Sequence, residues 1–223
     1  STGMLQCGYM LQHGDGIEIN KREAFRYYIK AAYKENSDGM FQCGYMLQKG
    51  DGINVNIPRA IKFYKMAIEK ENPDAMVAYG LMLQHGEGIK VNKEKAANLY
   101  KNASELGNSD GMLYYGLMLK QGDGIEINKK QAIHYIQMAI ERDNIEAMII
   151  YGFMLYNGEG VEVNKEESFK YFEKAANKDN STGMLQCGYM LQHGDGIDAN
   201  ISEAVKYYKM AIERDNIEAM IIY

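Results

Sequence analysis

The sequence predicts an all-α fold, an α/α solenoid of antiparallel helix pairs with a 36-residue period and about six repeats. Three observations predict it. A glycine recurs without a gap at Gly8, Gly44, Gly80, Gly116, Gly152 and Gly188. Two further glycines follow in each unit, as at Gly14 and Gly16 or Gly50 and Gly52. An asparagine recurs at Asn20, Asn56, Asn92, Asn128, Asn164 and Asn200, where a second helix would start.

One unit, residues 36–71, shows each element. Asn36 opens it, and Met40, Gly44 and Leu47 then fall at i, i+4 and i+7, one stripe of a helix. Gly50-Asp51-Gly52 stops that helix, because glycine reaches positive φ at low cost. Asn56 starts the second helix, with Ala60, Phe63, Tyr64 and Ala67 on one face. Asn20, Asn128, Asn164 and Asn200 are followed three residues on by Glu23, Gln131, Glu167 and Glu203, which predicts a reciprocal capping box. Asn56 and Asn92 have Arg59 and Lys95 there instead. Pro58 and Pro73 fall in opening turns, where a missing N–H is tolerated.

Helices of about 12 residues are marginal alone, so each pair must bury its stripe on its neighbours. Ala31, Ala67, Ala103, Ala139, Ala175 and Ala211 are small knobs that permit close approach. Gly8 and its equivalents lie inside the first helix, each costing about 1 kcal/mol relative to alanine. Repetition of that cost implies a contact that a methyl group would block.

Composition narrows the function. The chain has 223 residues, 46% hydrophobic and 25% charged, which is not a disordered composition. A net charge of -5 with no basic block argues against a nucleic-acid partner. No apolar run is long enough for a membrane span, and no signal or transit segment is visible. The chain begins at Ser1 and ends at Tyr223 within units, so partial repeats at both ends of a 1–223 array, cut from a longer chain, are expected.

These signatures resemble the Sel1-like repeat, a relative of the tetratricopeptide repeat. The pattern reads Gly152, Gly158, Gly160, Val161, Asn164, Phe172, Ala175 and Ala176 in one unit, and Gly116, Gly122, Gly124, Ile125 and Asn128 in another. Leucine stands at Leu11, Leu47, Leu83, Leu119, Leu155 and Leu191 where the family has tyrosine, and Asn108 stands for the closing glycine. The resemblance implies a right-handed superhelix and a non-catalytic adaptor that holds other proteins. Some bacterial members are associated with penicillin or cell-wall binding, and secreted members carry paired cysteines in each unit, which are absent here.

The resemblance also implies that first helices line the concave side. Positions there that vary between units are the candidate groove: Gln6, Tyr9 and His13; Gln42, Tyr45 and Lys49; Leu81 and His85; Tyr114, Leu117 and Gln121; Ile150, Phe153 and Asn157; Gln186, Tyr189 and His193. Polar residues around aromatic and aliphatic ones suit an extended peptide or a helix. The competing reading makes the apolar ones, such as Tyr9, Tyr45 and Leu81, core filler.

Residues with reactive side chains do not converge. His13 and His85 share a register two repeats apart, about 20 Å at helix-packing distances, so no metal site is expected. Cys7, Cys43 and Cys187 share another, which also holds Tyr79, Tyr115 and Tyr151; it reads as a packing slot. Adjacent repeats place two cysteines beyond disulfide reach, and unpaired thiols favour a reducing, cytoplasmic setting. The glycine loops lack the Lys-Ser/Thr of a phosphate-binding loop, and Asp15 and Glu87 within them read as exposed acids. No cofactor is expected. Residues 1–17 and 181–197 are identical, as are 141–151 and 213–223. The alternatives to an adaptor are therefore a spacer that self-associates end to end and, further off, a cell-wall or β-lactam-binding protein with weak hydrolase activity.

Overall fold

The computed structural model describes residues 2–222; Ser1 and Tyr223, the ends at which cut units were expected, lie outside the described residues. Every regular element among those residues is a helix. First helices of the repeats are α1 (Thr2–His13), α3 (Ser37–Lys49), α5 (Pro73–His85), α7 (Ser109–Gln121), α9 (Ile145–Asn157), α11 (Ser181–His193) and the short α13 (Ile217–Ile222). Second helices are α2 (Lys21–Ala32), α4 (Ile57–Ile68), α6 (Lys93–Glu105), α8 (Lys129–Glu141), α10 (Lys165–Asn177) and α12 (Ile201–Ile212).

Asparagine sets the helix starts. The Asn36 side chain accepts the Gly39 N–H at 2.7 Å, and the Asn56 side chain accepts the Arg59 N–H at 3.1 Å. Pro58 and Pro73 sit in first turns, as expected. The reciprocal half of the capping box is not formed. The Asn20 N–H instead reaches the Leu11 carbonyl at 2.8 Å, and Asn56, Asn92 and Asn200 bond Leu47, Leu83 and Leu191 at the same distance. That bond closes the interhelix turn and takes the cap N–H from the acid three residues on, so Glu23 pairs with Arg26 at 2.9 Å, while Glu167 accepts from the Asn164 side-chain amide at 3.1 Å. It also explains why Arg59 and Lys95 are tolerated at this place. The left-handed position before each new repeat is the residue preceding asparagine: φ is 58° at Glu35, 55° at Glu71 and 84° at Gly107. Asparagine at Asn36 or Asn108 is the next cap rather than a substitute for glycine.

The chain forms two compact units, Ser1–Ile127 and Asn128–Tyr223. In the first, α1 pairs with α2, α3 with α4 and α5 with α6, and α2, α4 and α6 each pack on the first helix that follows. In the second, α9 pairs with α10 and α11 with α12, while α8, α10 and α12 pack on α9, α11 and α13. Within the first unit α3 also reaches α5, and α5 reaches α7; among the described residues no two second helices approach each other comparably. A row packed closer on one side curves toward it, so first helices line the inner side of this unit.

The recurring core contact is glycine against an aromatic ring. Tyr28, Tyr64 and Tyr100 are fully buried in the first unit and Phe172 in the second. A Cβ added to Gly44 would lie 2.7 Å from Tyr64, one on Gly80 2.6 Å from Tyr100, and one on Gly152 2.7 Å from Phe172. The predicted close approach is therefore real and lies within each pair. The alanine knobs Ala31, Ala67, Ala103, Ala139, Ala175 and Ala211 are all fully buried. Ala31 and Ala103 meet Gly39 and Gly111 of the next repeat, where a Cβ would come within 2.8 and 2.7 Å.

Loops clamp consecutive repeats. A Cβ on Gly52 would run into Lys21, so the second loop glycine lies on the start of the preceding second helix. This places Asp51 where Lys21 donates to it at 2.6 Å and Gln12 at 2.9 Å, while Tyr28 donates to the Gln12 carbonyl at 2.8 Å. Tyr100, Gln84, Asp123 and Lys93 form the same chain. In the second unit Tyr156 replaces glutamine and Phe172 replaces tyrosine, and the Tyr156 hydroxyl donates directly to Asp195, which also binds Lys165 at 2.5 Å. Lysine hydrogen bonding holds Asp51, Asp123 and Asp195 below the usual carboxylate range. Burial raises the Tyr28 phenol to about 12. Loop acids do more than the sequence suggested: Asp15 and Glu87 are both exposed, as expected, and Glu87 also accepts from Gln48 at 2.8 Å across a repeat boundary.

Candidate binding face

The candidate residues sit three and four apart on first helices, which places each set on one helix face. In the first unit Gln6, Tyr9 and His13 lie on α1, Gln42, Tyr45 and Lys49 on α3, Leu81 and His85 on α5, and Tyr114, Leu117 and Gln121 on α7. In the second unit Ile150, Phe153 and Asn157 lie on α9, and Gln186, Tyr189 and His193 on α11. None of them is buried. Tyr9 is 49% exposed and Tyr45 and Tyr189 40%, too much for core filler. Leu81 differs: it is partly buried and rests on the core cluster. Tyr114 and Phe153 also lean inward, with ring centroids 5.3 Å from Tyr100 and 5.0 Å from Phe172. The face is thus continuous with the core below it.

Two aromatic–imidazole pairs project from this face. The rings of Tyr9 and His13 lie 4.4 Å apart, and those of Tyr189 and His193 4.5 Å. Sequence reasoning missed Phe41, whose ring lies 6.3 Å from Tyr45 and 6.1 Å from Tyr64 and so joins face to core. Its register varies as the chosen ones do, and that variation was the signal. In the second unit a hollow of 490 Å³ opens on the face, lined by Phe153, Thr182, Gln186, Asp215 and Glu218 among others. Asp215 closes the repeat that holds Thr182 and Gln186, Glu218 lies on α13, and neither was singled out.

Reactive side chains are quiet. Cys43 and Cys187 are buried, and Cys7 is exposed. Burial pushes the Cys43 thiol up to about 12, so it is protonated and a poor nucleophile near neutrality. Among the described residues no three His, Cys, Asp or Glu side chains are placed to hold a metal. No helix among them is long and apolar enough to cross a membrane.

Paired helices, glycine turns and clamped loops define a tandem α/α-repeat protein. The chain belongs to the Sel1 repeat family, whose sequence profile matches residues 1–36, 37–72, 73–108, 109–144, 145–180 and 181–216. It has no significant sequence match among curated proteins. A Sel1 repeat protein from Oxalobacter formigenes is similar in structure, with a TM-score of 0.85, 26% identity, and coverage of 94% of this chain and 84% of that one. A protective antigen of uropathogenic Escherichia coli with the same repeat fold has a TM-score of 0.77 and 23% identity, over 98% of this chain and 47% of that one. An immunity protein from Pseudomonas aeruginosa has a TM-score of 0.66 and 15% identity, over 97% of this chain and 82% of that one. Sel1 repeats generally serve as protein–protein interaction scaffolds.

Proposed function

We propose that this chain is a non-catalytic scaffold that binds an extended peptide or a helix of a partner protein along the first-helix face. One observation carries the reading: first helices expose aromatic side chains above a buried core, Tyr9 and Tyr45 in the first unit and Tyr189 in the second. Aromatic side chains contribute contact area at low entropic cost, and a preformed face spares the ordering cost of binding. The hollow beside Phe153 and Gln186 would receive one partner side chain.

Affinity capture from lysate of the source cells tests it, with this chain and a Leu81→Glu/Leu117→Glu/Phe153→Glu variant as baits. Circular dichroism establishes that both are helical. The reading expects a protein recovered by the unmodified chain and lost from the variant. Equal recovery by both baits, or recovery of the chain alone, would count against this face.

A further inference from the structure

The outer side of the first unit has a hollow near a register where three repeats place a tyrosine. At one register of the first helix, a tyrosine reaches between consecutive second helices. Tyr79 lies between α4 and α6, its ring centre 5.8 Å from Lys65 Nζ and 5.7 Å from Lys95 Nζ. Tyr151 lies between α8 and α10, accepting from Gln137 at 3.0 Å and meeting the Tyr171 ring edge-on at 5.0 Å. The same register holds Cys43 between α2 and α4, as it holds Cys187 between α10 and α12. A thiol lacks the phenol ring that would span this splayed side. A cavity of 160 Å³ opens at the end of α2 and along α4, lined by Tyr33, Arg59, Lys62, Phe63 and Met66; Cys43 is fully buried and does not line it. An apolar cavity of about 150 Å³ accommodates benzene.

Charge indicates what the ring would be attached to. α4 carries Arg59, Lys62 and Lys65, and its first acid is Glu69 at the C-cap. Neither Arg59 nor Lys62 forms a salt bridge among the described residues. Where other repeats place Glu69, Glu105, Glu141, Asn177 and Glu213, this one places Tyr33, 80% exposed. The nearest acid in sequence, Glu35, is taken by Lys70 at 2.9 Å. On a chain of net charge -5 this is a local basic spot with an apolar floor.

We propose that the outer cavity between α2 and α4 docks one aromatic side chain of a partner protein, carried in an acidic stretch whose carboxylates pair with Arg59 and Lys62. The ring lies near the register that a phenol occupies in three other repeats, and Tyr33 and Phe63 flank it. Two cations are too few to hold a nucleic-acid backbone against the overall negative charge, so an acidic peptide is favoured. This site lies on the side opposite the first-helix face and stands or falls independently of it.

Fluorescence polarisation with a labelled acetyl-Asp-Glu-Phe-Glu-Asp-amide peptide tests the proposal, beside a control with serine for phenylalanine and vesicles of phosphatidylserine. The Cys43→Tyr variant extends toward the cavity the side chain that three other repeats already use, and Arg59→Glu/Lys62→Glu reverses the charge; circular dichroism checks both. The expected result is saturable binding of the phenylalanine peptide that weakens about tenfold or more in each variant. Equal affinity for the serine control, undiminished binding by Cys43→Tyr, no peptide binding at all, or binding of the vesicles alone would each overturn it.

Discussion

Gly44 lies against the ring of Tyr64 so closely that a Cβ would sit 2.7 Å from Tyr64 Cδ1. Tyr64 is fully buried and its hydroxyl donates to Gln48 at 2.6 Å, so the ring cannot swing aside. Helix propensity and packing here have opposite signs. Alanine would gain about 1 kcal/mol of propensity, while overpacking costs about 1–3 kcal/mol or more. Gly44→Ala is therefore expected to destabilise by up to about 2 kcal/mol net. Urea unfolding followed by circular dichroism measures it, and a rise in midpoint would contradict the contact.

The phenol of the core can move between helices. Tyr100 donates to Gln84, whereas in the second unit the aromatic without a hydroxyl, Phe172, is paired with Tyr156 on the facing helix. Tyr100→Phe leaves the Gln84 carbonyl short of a donor and is expected to cost about 1 kcal/mol. Adding Gln84→Tyr should recover most of that loss, because Asp123 and Lys93 stand as Asp195 and Lys165 do. A double-mutant cycle with no coupling would refute the exchange.

The loop clamps give stability a defined pH dependence. Lysine hydrogen bonds depress the carboxyls of Asp51 and Asp123, so their folded-state values lie below the unfolded ones. Such a group contributes stability above the unfolded pKa and loses it as pH falls through the folded one. Melting temperature should drop as pH goes from 5 toward 2, and Asp51→Asn/Asp123→Asn should flatten that drop. An unchanged slope in the variant would show that the clamps are energetically silent.

Glu71 adopts a φ of 55° and is exposed. The same register holds Gly107 one repeat later, with φ of 84°. Glu71→Gly should stabilise by about 1 kcal/mol, because left-handed backbone costs an L-residue that much. Thermal unfolding that shows a lower midpoint would mean the carboxylate has a stabilising role of its own.

Much of this was legible because the repeat reports the same physics several times. Gly44 inside a helix announced a close contact, since it gives up helix propensity that only packing returns, and Ala67, small among large apolar neighbours on its face, announced a tight helix crossing. What was not legible depends on groups brought together across repeat boundaries. Asp51 looks like a solvated loop acid until Lys21 and Gln12 of the preceding repeat arrive beside it. Glu23 looks like half of a capping box until the Leu11 carbonyl takes the Asn20 N–H. On the candidate face, Tyr9 and Tyr45 could be core or surface from periodicity alone, and their exposure of 49% and 40% follows from first helices lying on the inner side of the curve. Cys43 was readable as a packing slot, but the nearby hollow was not, because it is lined by Tyr33 at the end of α2 and by side chains of α4 rather than by its own helix.

Site-specific photo-crosslinking tests the scaffold reading most directly. Benzoylphenylalanine is placed at Tyr45 on the first-helix face or at Asn98, exposed on second helix α6, and the chain is irradiated in lysate of the source cells. The account predicts one foreign protein joined through Tyr45 and none through Asn98. Adducts only at Asn98, or only chain-to-chain adducts at both positions, would contradict it.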